Sequence, residues 1–318
     1  MIENRDIPMI CLQEIEQFHI SEPTALTIGK FDGLHRGHEE LIRRLLRKQR
    51  RGQKAVVFTF DIPPKKLTEG DGMRLLSTNA EKRALFEERG MDYLLQCPFT
   101  PKIMSMEPEK FVEWIVGALN VKSIVVGEDC GFGHNRRGDY KLLAQLAPEY
   151  GYELEVVKKL QFDGRDISST YIREEIQKGN METAAMLLGH PYSIDGTVET
   201  GNQIGRTIGI PTANIEAEPD KLLPPFGVYA ASIDFEHERY YGIANIGRKP
   251  TIKPKHGDQN PVGVEMHILH FHKDIYCEPV RISFHAFERP EVKFDSISDL
   301  QAQIERDIVF SEQYFEKI

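Results

Sequence analysis

Residues 28–42 read Ile-Gly-Lys-Phe-Asp-Gly-Leu-His-Arg-Gly-His-Glu-Glu-Leu-Ile. Ala25, Leu26 and Ile28 form a short apolar run, as in the end of a buried strand. Gly29 and Gly33 interrupt it. From His38 onward, Leu41, Ile42, Leu45 and Leu46 recur at helical spacing, so a helix begins here. A chain that passes from buried strand to helix through so short a glycine turn is building an open α/β sheet. Such sheets bind ligands at the carboxyl ends of their strands. Free backbone N–H groups and the positive end of the helix dipole favour phosphate there.

His35 and His38 fall at that helix start, three residues apart, close enough to act on one group. Imidazole donors can hold phosphate oxygens as charge builds in a transition state. The glycines let backbone approach a nucleotide. The plainer alternative is one surface histidine and one helix cap. Zinc is disfavoured, because no nearby cysteine or carboxylate supplies a third ligand at the usual spacing.

The pattern downstream alternates strand and helix. Residues 55–60, 92–97, 123–127 and 152–157 read as strands. Residues 79–89, 108–119 and 140–150 read as helices. This predicts a parallel sheet with right-handed crossovers. Arg43, Arg44, Arg47, Lys48, Arg50 and Arg51 read as the solvated face of an amphipathic helix rather than a nucleic-acid surface. Two further pieces lie near strand ends. Residues 125–133, Val-Val-Gly-Glu-Asp-Cys-Gly-Phe-Gly, contain Gly127 and Asp129 in a loop able to wrap a nucleotide. Residues 167–174, Ile-Ser-Ser-Thr-Tyr-Ile-Arg-Glu, place Ser168, Ser169 and Thr170 before a helical run that contains Arg173. Hydroxyls there cap a helix, and with the guanidinium they suit a phosphate.

A short helical run over 180–188 ends at Gly189, with Pro191 following, and the domain boundary is placed at 184/185. Beyond it the period becomes two. Tyr229, Ala231, Ile233 and Phe235 alternate with more polar neighbours, as do Val280, Ile282, Phe284 and Ala286. A small antiparallel barrel or sandwich follows. Ile297, Leu300, Ile304 and Ile308 add one terminal helix, with Ser296 as its cap. Residues 196–214 are glycine-rich without the Gly-Lys-Ser/Thr of a P-loop. Thr212 and Asn214 offer oxygen donors that suit magnesium. Glu265 lies on a predicted strand, either as a solvent-facing carboxylate or as a general base for a hydroxyl.

Composition narrows the setting. A chain of 318 residues accommodates two domains, and a net charge of −9 disfavours a nucleic-acid partner. Cys11, Cys97, Cys130 and Cys277 are scattered, without a Cys-x-x-Cys pair, so a reducing cytoplasm is expected. Residues 1–6 lack the apolar core of a signal peptide, and no apolar run approaches membrane-spanning length.

The first half resembles the bacterial FAD synthetases. It carries Gly-x-Phe-Asp-Gly-x-His-x-Gly-His, Val-Gly-Glu-Asp-x-x-Phe-Gly and Ser-Ser-Thr-x-Ile-Arg, in that order. The second half resembles riboflavin kinase through residues 201–214, Gly227-Val228-Tyr229-Ala230, residues 244–251, Glu265, and Arg289-Pro290-Glu291 with Lys293-Phe294. The Pro-Thr-Ala-Asn element at 211–214 is the most specific. Together the halves look like the bifunctional riboflavin kinase/FMN adenylyltransferase family.

The resemblance implies a Rossmann-like nucleotidyltransferase domain over 1–184 and a barrel kinase domain with a C-terminal helix over 185–318. It implies flavins as substrate and product, ATP as co-substrate and Mg²⁺ as cofactor, with no membrane partner and a monomer or weak homo-oligomer. His35 and His38 would serve adenylyl transfer. Gly29, Phe31, Asp32, Gly33, Gly127, Asp129, Ser168, Ser169, Thr170 and Arg173 would bind the ATP of that step. In the kinase, Gly201, Gly205, Arg206, Gly209 and Pro211 would bind ATP, and Thr212 and Asn214 magnesium. Gly227, Val228, Tyr229, Asn245 and Arg289 would bind flavin, with Glu265 as the base. His267 shares the strand face of Glu265 and is read as a packing or surface residue.

The resemblance has one departure. Family members usually carry Phe-Asp-Pro-His-Pro after the second strand, whereas this chain reads Phe-Asp-Ile-Pro-Pro, with Pro63 at the histidine position. Proline has no side-chain or backbone donor. Two alternatives therefore stand beside the bifunctional enzyme. One is a riboflavin kinase with an impaired adenylyltransferase domain, and the other is a non-catalytic flavin-binding regulator.

Overall fold

The computed structural model describes residues 8–61, 73–200, 210–248 and 262–317. The chain divides into two compact units, Met1–Ser169 and Thr170–Ile318.

The first unit runs β1 (Ile10–Leu12), β2 (Thr24–Ile28), α1 (Arg36–Gln49), β3 (Lys54–Phe60), α2 (Asn79–Glu88) and β4 (Tyr93–Cys97). It continues with α3 (Pro101–Met104), α4 (Pro108–Leu119), β5 (Val121–Gly127), α5 (Tyr140–Tyr150) and β6 (Glu153–Val157). A small hairpin, β7 (Gln161–Phe162) and β8 (Arg165–Asp166), completes it. Strands β1 to β6 form one parallel sheet in the order β1-β4-β3-β2-β5-β6. All five residues of β2 are buried, which explains its continuous apolar and threonine character.

Helices cover both faces. On one, Leu41, Ile42 and Leu45 of α1 and Leu85 and Phe86 of α2 pack with Ala25, Val57 and Val125. On the other, Phe111, Val112, Ile115 and Leu119 of α4 and Leu143 of α5 pack with Leu26, Ile28 and Phe58. The expected parallel α/β architecture is what the chain forms. Three residues of the basic stretch form ion pairs: Arg43 and Arg44 meet Glu40, Arg44 also meets Glu155, and Lys48 Nζ lies 2.7 Å from Glu153. That is the solvated face expected from the sequence.

The order β4-β3-β2-β5-β6 decides where a ligand fits. From β2 the chain winds outward through β3 and β4, then crosses back to β5 on the other side of β2. The carboxyl ends of β2 and β5 therefore flank the point where the winding reverses, and a crevice opens at such a point.

The second unit contains nearly all of α6 (Ser169–Lys178), then α7 (Met181–Leu188) and the strands β9 (Tyr192–Thr197), β10 (Ala213–Glu216), β11 (Gly227–Phe235), β12 (Glu238–Arg248), β13 (Val262–Ile268) and β14 (Pro279–Pro290). It ends with α8 (Ile297–Phe315), capped as expected by Ser296, whose Oγ accepts from Asp299 N at 3.1 Å. The sequence places the boundary at 184/185, whereas the compact units part at 169/170. The physical reason is packing: α7 buries Met181, Ala184, Leu187 and Leu188 and lies on β14 and β9.

The six strands form an antiparallel sheet in the order β10-β13-β12-β11-β14-β9. It curls into a barrel, and among the described residues its edges meet at an isolated bridge, Glu199 with Asn214, where Glu199 N donates to Asn214 O at 2.8 Å. Ile194, Ile215, Val264, Met266, Ala244 and Ile246 are buried at alternate positions, and α8 lies over β12 and β11. The barrel and its terminal helix match the expected class.

Candidate active sites

In the first unit the turn from β2 to α1 is built tightly. Phe31 takes a left-handed backbone (φ 47°) and buries its ring against Phe86 at 5.3 Å. Gly33 is also left-handed (φ 66°), and a Cβ there would stand 2.6 Å from the Leu76 side chain, so only glycine fits. Asp32 turns inward, and its Oδ1 accepts from Leu76 N at 2.8 Å and Ser77 N at 3.1 Å. The Asp32 carbonyl accepts from Ser169 Oγ at 2.7 Å. Phe31 and Asp32, expected at the nucleotide, thus shape the turn, and Ser169 ties to it.

His35 caps α1, with Nδ1 accepting from His38 N at 3.4 Å. The two rings stack at 3.6 Å between centroids, 16° from parallel. Burial lowers the His35 pKa to about 4, against a partly opposing effect from Asp129. Burial, then the neighbouring His35, holds His38 well below the ordinary histidine range. Both rings are neutral at physiological pH. With Nδ1 of His35 accepting, Nε2 is its proton-bearing nitrogen. The His38 Nδ1 is buried without a hydrogen-bond partner among the described residues.

Gly127 ends β5, and the loop after it carries Asp129, which lies 3.5 Å from Lys159 Nζ. Its influence on His35 shows that the β2 and β5 ends meet electrostatically. Phe132 of the same loop is a core residue against Phe111, at 5.6 Å. Ser168 lies in the first unit and is half-buried, while Thr170 and Arg173 belong to the second.

Sequence reasoning missed Lys82. It lies in α2 and is only 3 % exposed. The available signal was periodicity: Lys82, Leu85 and Phe86 share the i, i+3, i+4 stripe that faces the core.

In the barrel, strand register assembles the second site. Asn214 opposes Glu265, Glu265 opposes Asn245, Asn245 opposes Val228, and Val228 opposes Arg289. Cross-strand partners share a face, so five residues named from sequence form one transverse row. Asn214 is 6 % exposed, and its Nδ2 donates to Thr212 Oγ1 at 3.2 Å, which leaves its oxygen for another partner. Asn245 Nδ2 donates to Glu291 Oε1 at 3.3 Å. His267 Nδ1 lies 2.9 Å from the Pro211 carbonyl, so it helps hold the 211–214 element.

Two expected flavin residues have other surroundings. Tyr229 is one step out of the row and faces the barrel interior. It is fully buried against Phe284 and Phe287, at 5.3 and 5.2 Å, with its hydroxyl on the Pro225 carbonyl. Gly227 lets β14 pass, because a Cβ there would lie 2.3 Å from the Arg289 carbonyl. Gly201, Gly205, Arg206 and Gly209, like Pro63, lie outside the described residues.

Arg289 is held by Asp307 of α8, with Nε to Oδ1 at 2.9 Å. Beside it, Glu288 occupies a β-bulge between the Val228 and Tyr229 registers. Burial, then the charge of Asp307, raises its pKa from 4.5 to about 7. The folded state therefore binds a proton over that interval that the unfolded chain has released. Stability of the second unit should fall as pH rises from about 4.5 through 7. Glu288→Gln should flatten that part of the stability curve, as measured by urea unfolding at several pH values. An unchanged slope would contradict the assignment.

Comparison with known proteins follows the same division. The FAD synthetase family model matches residues 17–171, and the riboflavin kinase model matches residues 188–315. The bifunctional riboflavin kinase/FMN adenylyltransferase of Listeria monocytogenes is 36% identical over 92% of this chain and 93% of its own. The protein of the same description from Escherichia coli K12 is 35% identical over 92% of this chain and 93% of its own. A crystal structure of a macrolide-efflux protein from Streptococcus pneumoniae superposes with a TM-score of 0.83 at 30% identity, covering 95% of this chain and 97% of that one. Among the described residues, no helix is long and apolar enough to cross a membrane. Two ordered family matches and relatives aligned over nearly the full length place the chain in the bifunctional riboflavin kinase/FMN adenylyltransferase family.

Proposed function

We propose that this chain makes FMN from riboflavin and FAD from FMN, using ATP in both steps. The observation that carries this reading is the row in which Glu265 lies between Asn214 and Asn245, close to the Thr212 hydroxyl. Glu265 takes the proton of the ribityl 5′-hydroxyl as that oxygen attacks the γ-phosphorus, and ADP leaves. Val228, Asn245 and Arg289, farther along the row, bind the flavin. Tyr229 and Gly227 support that strand from behind. Gly201, Gly205, Arg206, Gly209 and Pro211 serve the ATP.

Thr212 and Asn214 would hold magnesium. They present neutral oxygen donors, and magnesium takes its remaining ligands from phosphate and water. Bound there, the ion neutralises phosphate charge.

In the first unit a phosphate oxygen of FMN attacks the α-phosphorus of ATP and pyrophosphate departs. His35 and His38, being neutral, donate hydrogen bonds to the phosphates without adding net charge. Gly29, Gly33, Gly127 and Asp129 border the nucleotide, and Ser168, Ser169, Thr170 and Arg173 hold its outer phosphates. The domain roles divide as 1–184 and 185–318. Free thiols at Cys11, Cys97, Cys130 and Cys277 suit a reducing cytoplasm, where the chain acts as a monomer or weak homo-oligomer.

Product chromatography tests the reading. Incubation with riboflavin, ATP and magnesium should give FMN followed by FAD, and supplied FMN should give FAD directly. FMN without FAD would leave only the kinase and trace the defect to the segment with Pro63. Flavin binding without nucleotide consumption would leave a regulator.

A further inference from the structure

Lys82 is a buried cation whose position is set by hydrogen bonds rather than by a direct ion pair. The start of α2 is tied to two strand ends. Leu76 N and Ser77 N donate to Asp32 just beyond β2, at 2.8 and 3.1 Å, and Asn79 Nδ2 donates to the Asp61 carbonyl just beyond β3, at 2.9 Å. A capping box, Thr78 with Glu81, fixes the first turn of the helix. The Lys82 side chain is thereby packed, 3 % exposed, at the carboxyl edge of neighbouring parallel strands.

Lysine is almost never fully buried without a partner, because removing an ammonium from water is costly. Asp32 and Asp61 act on Lys82 through space, and its own charge reaches His38. Yet no carboxylate among the described residues forms a salt bridge with it. One oxygen of each aspartate accepts from backbone donors: Asp32 Oδ1 from Leu76 N and Ser77 N, and Asp61 Oδ1 from Phe99 N at 3.2 Å. What remains is an ammonium with spare donors beside a neutral histidine whose Nδ1 is also without a partner. An anion with several oxygens would complete the ammonium, and the Nδ1–H tautomer of His38 would donate to the same group.

We propose that Lys82 is a phosphate-binding residue of the adenylyl-transfer site, holding a phosphate of the bound nucleotide next to His38. This rests on the reading of the first unit as an adenylyltransferase. The phosphate belongs either to the FMN monoester or to the polyphosphate of ATP, and both present the same oxygens.

The test uses full-length Lys82→Met, which keeps the length of the side chain and removes the charge. In FAD formation from FMN, kcat/KM should fall roughly 10- to 100-fold, the size of one charge-assisted contact. A KM increase confined to FMN assigns the monoester, and one confined to ATP assigns the polyphosphate. Without ligand the variant should melt no lower than wild type, because an ammonium lacking an ion pair stabilises little. Wild type should gain thermal stability from inorganic pyrophosphate, and the variant should lose most of that gain.

Unchanged KM and kcat values in a folded variant would overturn the proposal. So would a lower melting point with the pyrophosphate effect retained, which marks a structural lysine. Failure of both Lys82→Met and Lys82→Gln to fold would count against it equally. Should wild type make no FAD, the adenylyltransferase reading fails, and the pyrophosphate contrast still decides the role of Lys82.

Discussion

Glu265→Gln should abolish nearly all FMN formation while leaving FAD formation from supplied FMN unchanged. Glutamine keeps the size of the side chain and its place opposite Asn214 and Asn245, so the barrel has no reason to rearrange. What it loses is the ability to take a proton. General-base catalysis typically contributes about 10²- to 10⁴-fold, so kcat of the kinase should drop by that range with little change in the KM for riboflavin. Adenylylation is assigned to residues 1–184, outside the barrel, so its rate is the internal control for an intact chain. Equal loss of both activities, measured by product chromatography, would contradict independent sites. A kinase rate within a few-fold of wild type would return Glu265 to the status of a strand carboxylate.

His38→Ala should have the converse effect, removing FAD formation and sparing FMN formation. The ring is buried, neutral and stacked on His35 at 3.6 Å. Loss of one preorganised donor to developing phosphate charge costs about 10²- to 10³-fold in kcat. The substitution also empties a space between His35 and Phe31, whose ring centroid lies 4.9 Å from that of His38. Some loss of thermal stability in the first unit is therefore expected alongside the kinetic effect. His38→Gln separates the two, because it refills part of the space and offers a differently placed donor. A melting point near wild type with adenylylation still lost would assign the effect to chemistry. Full adenylylation in His38→Ala would remove the histidine from the mechanism.

Much of this fold was legible because its signals are local. The strand, glycine turn and helix of residues 28–42 follow from the spacing of Leu41, Ile42 and Leu45, and the structure forms them as β2 and α1. Helices over Pro108–Leu119 and Tyr140–Tyr150 occur with the bounds read from sequence. Three-residue β1 was missed, because so short a strand carries no usable period. The compact units part earlier than 184/185 because α7 announces its own end at Gly189 but not the surface it packs on.

The candidate site residues can be named from sequence by type and not by arrangement. Nothing local to Asn214, Glu265, Asn245 and Arg289 says that they share a row, since register is set by pairing between strands. Tyr229 shows the converse. The flavin role implied for it by resemblance carries no register, and one step of strand turns its ring toward Phe284 and Phe287. Lys82 escaped notice because a charged residue on an apolar stripe reads as noise until its burial is seen.

One feature of the barrel reaches beyond catalysis. Among the described residues, the segment after β9 meets β10 at an isolated bridge, Glu199 N to Asn214 O, although β9 and β10 are not neighbours in the sheet. Exchange of the Glu199 amide with deuterated solvent thus reports how often the barrel opens at that bridge, while amides deep in β11 report global unfolding. Since the side chain of Asn214 is assigned to the nucleotide–metal site, occupancy there should slow exchange at Glu199 before it alters any other strand. The molecule carries its own gauge of whether the kinase is loaded, at an amide that takes no part in the reaction.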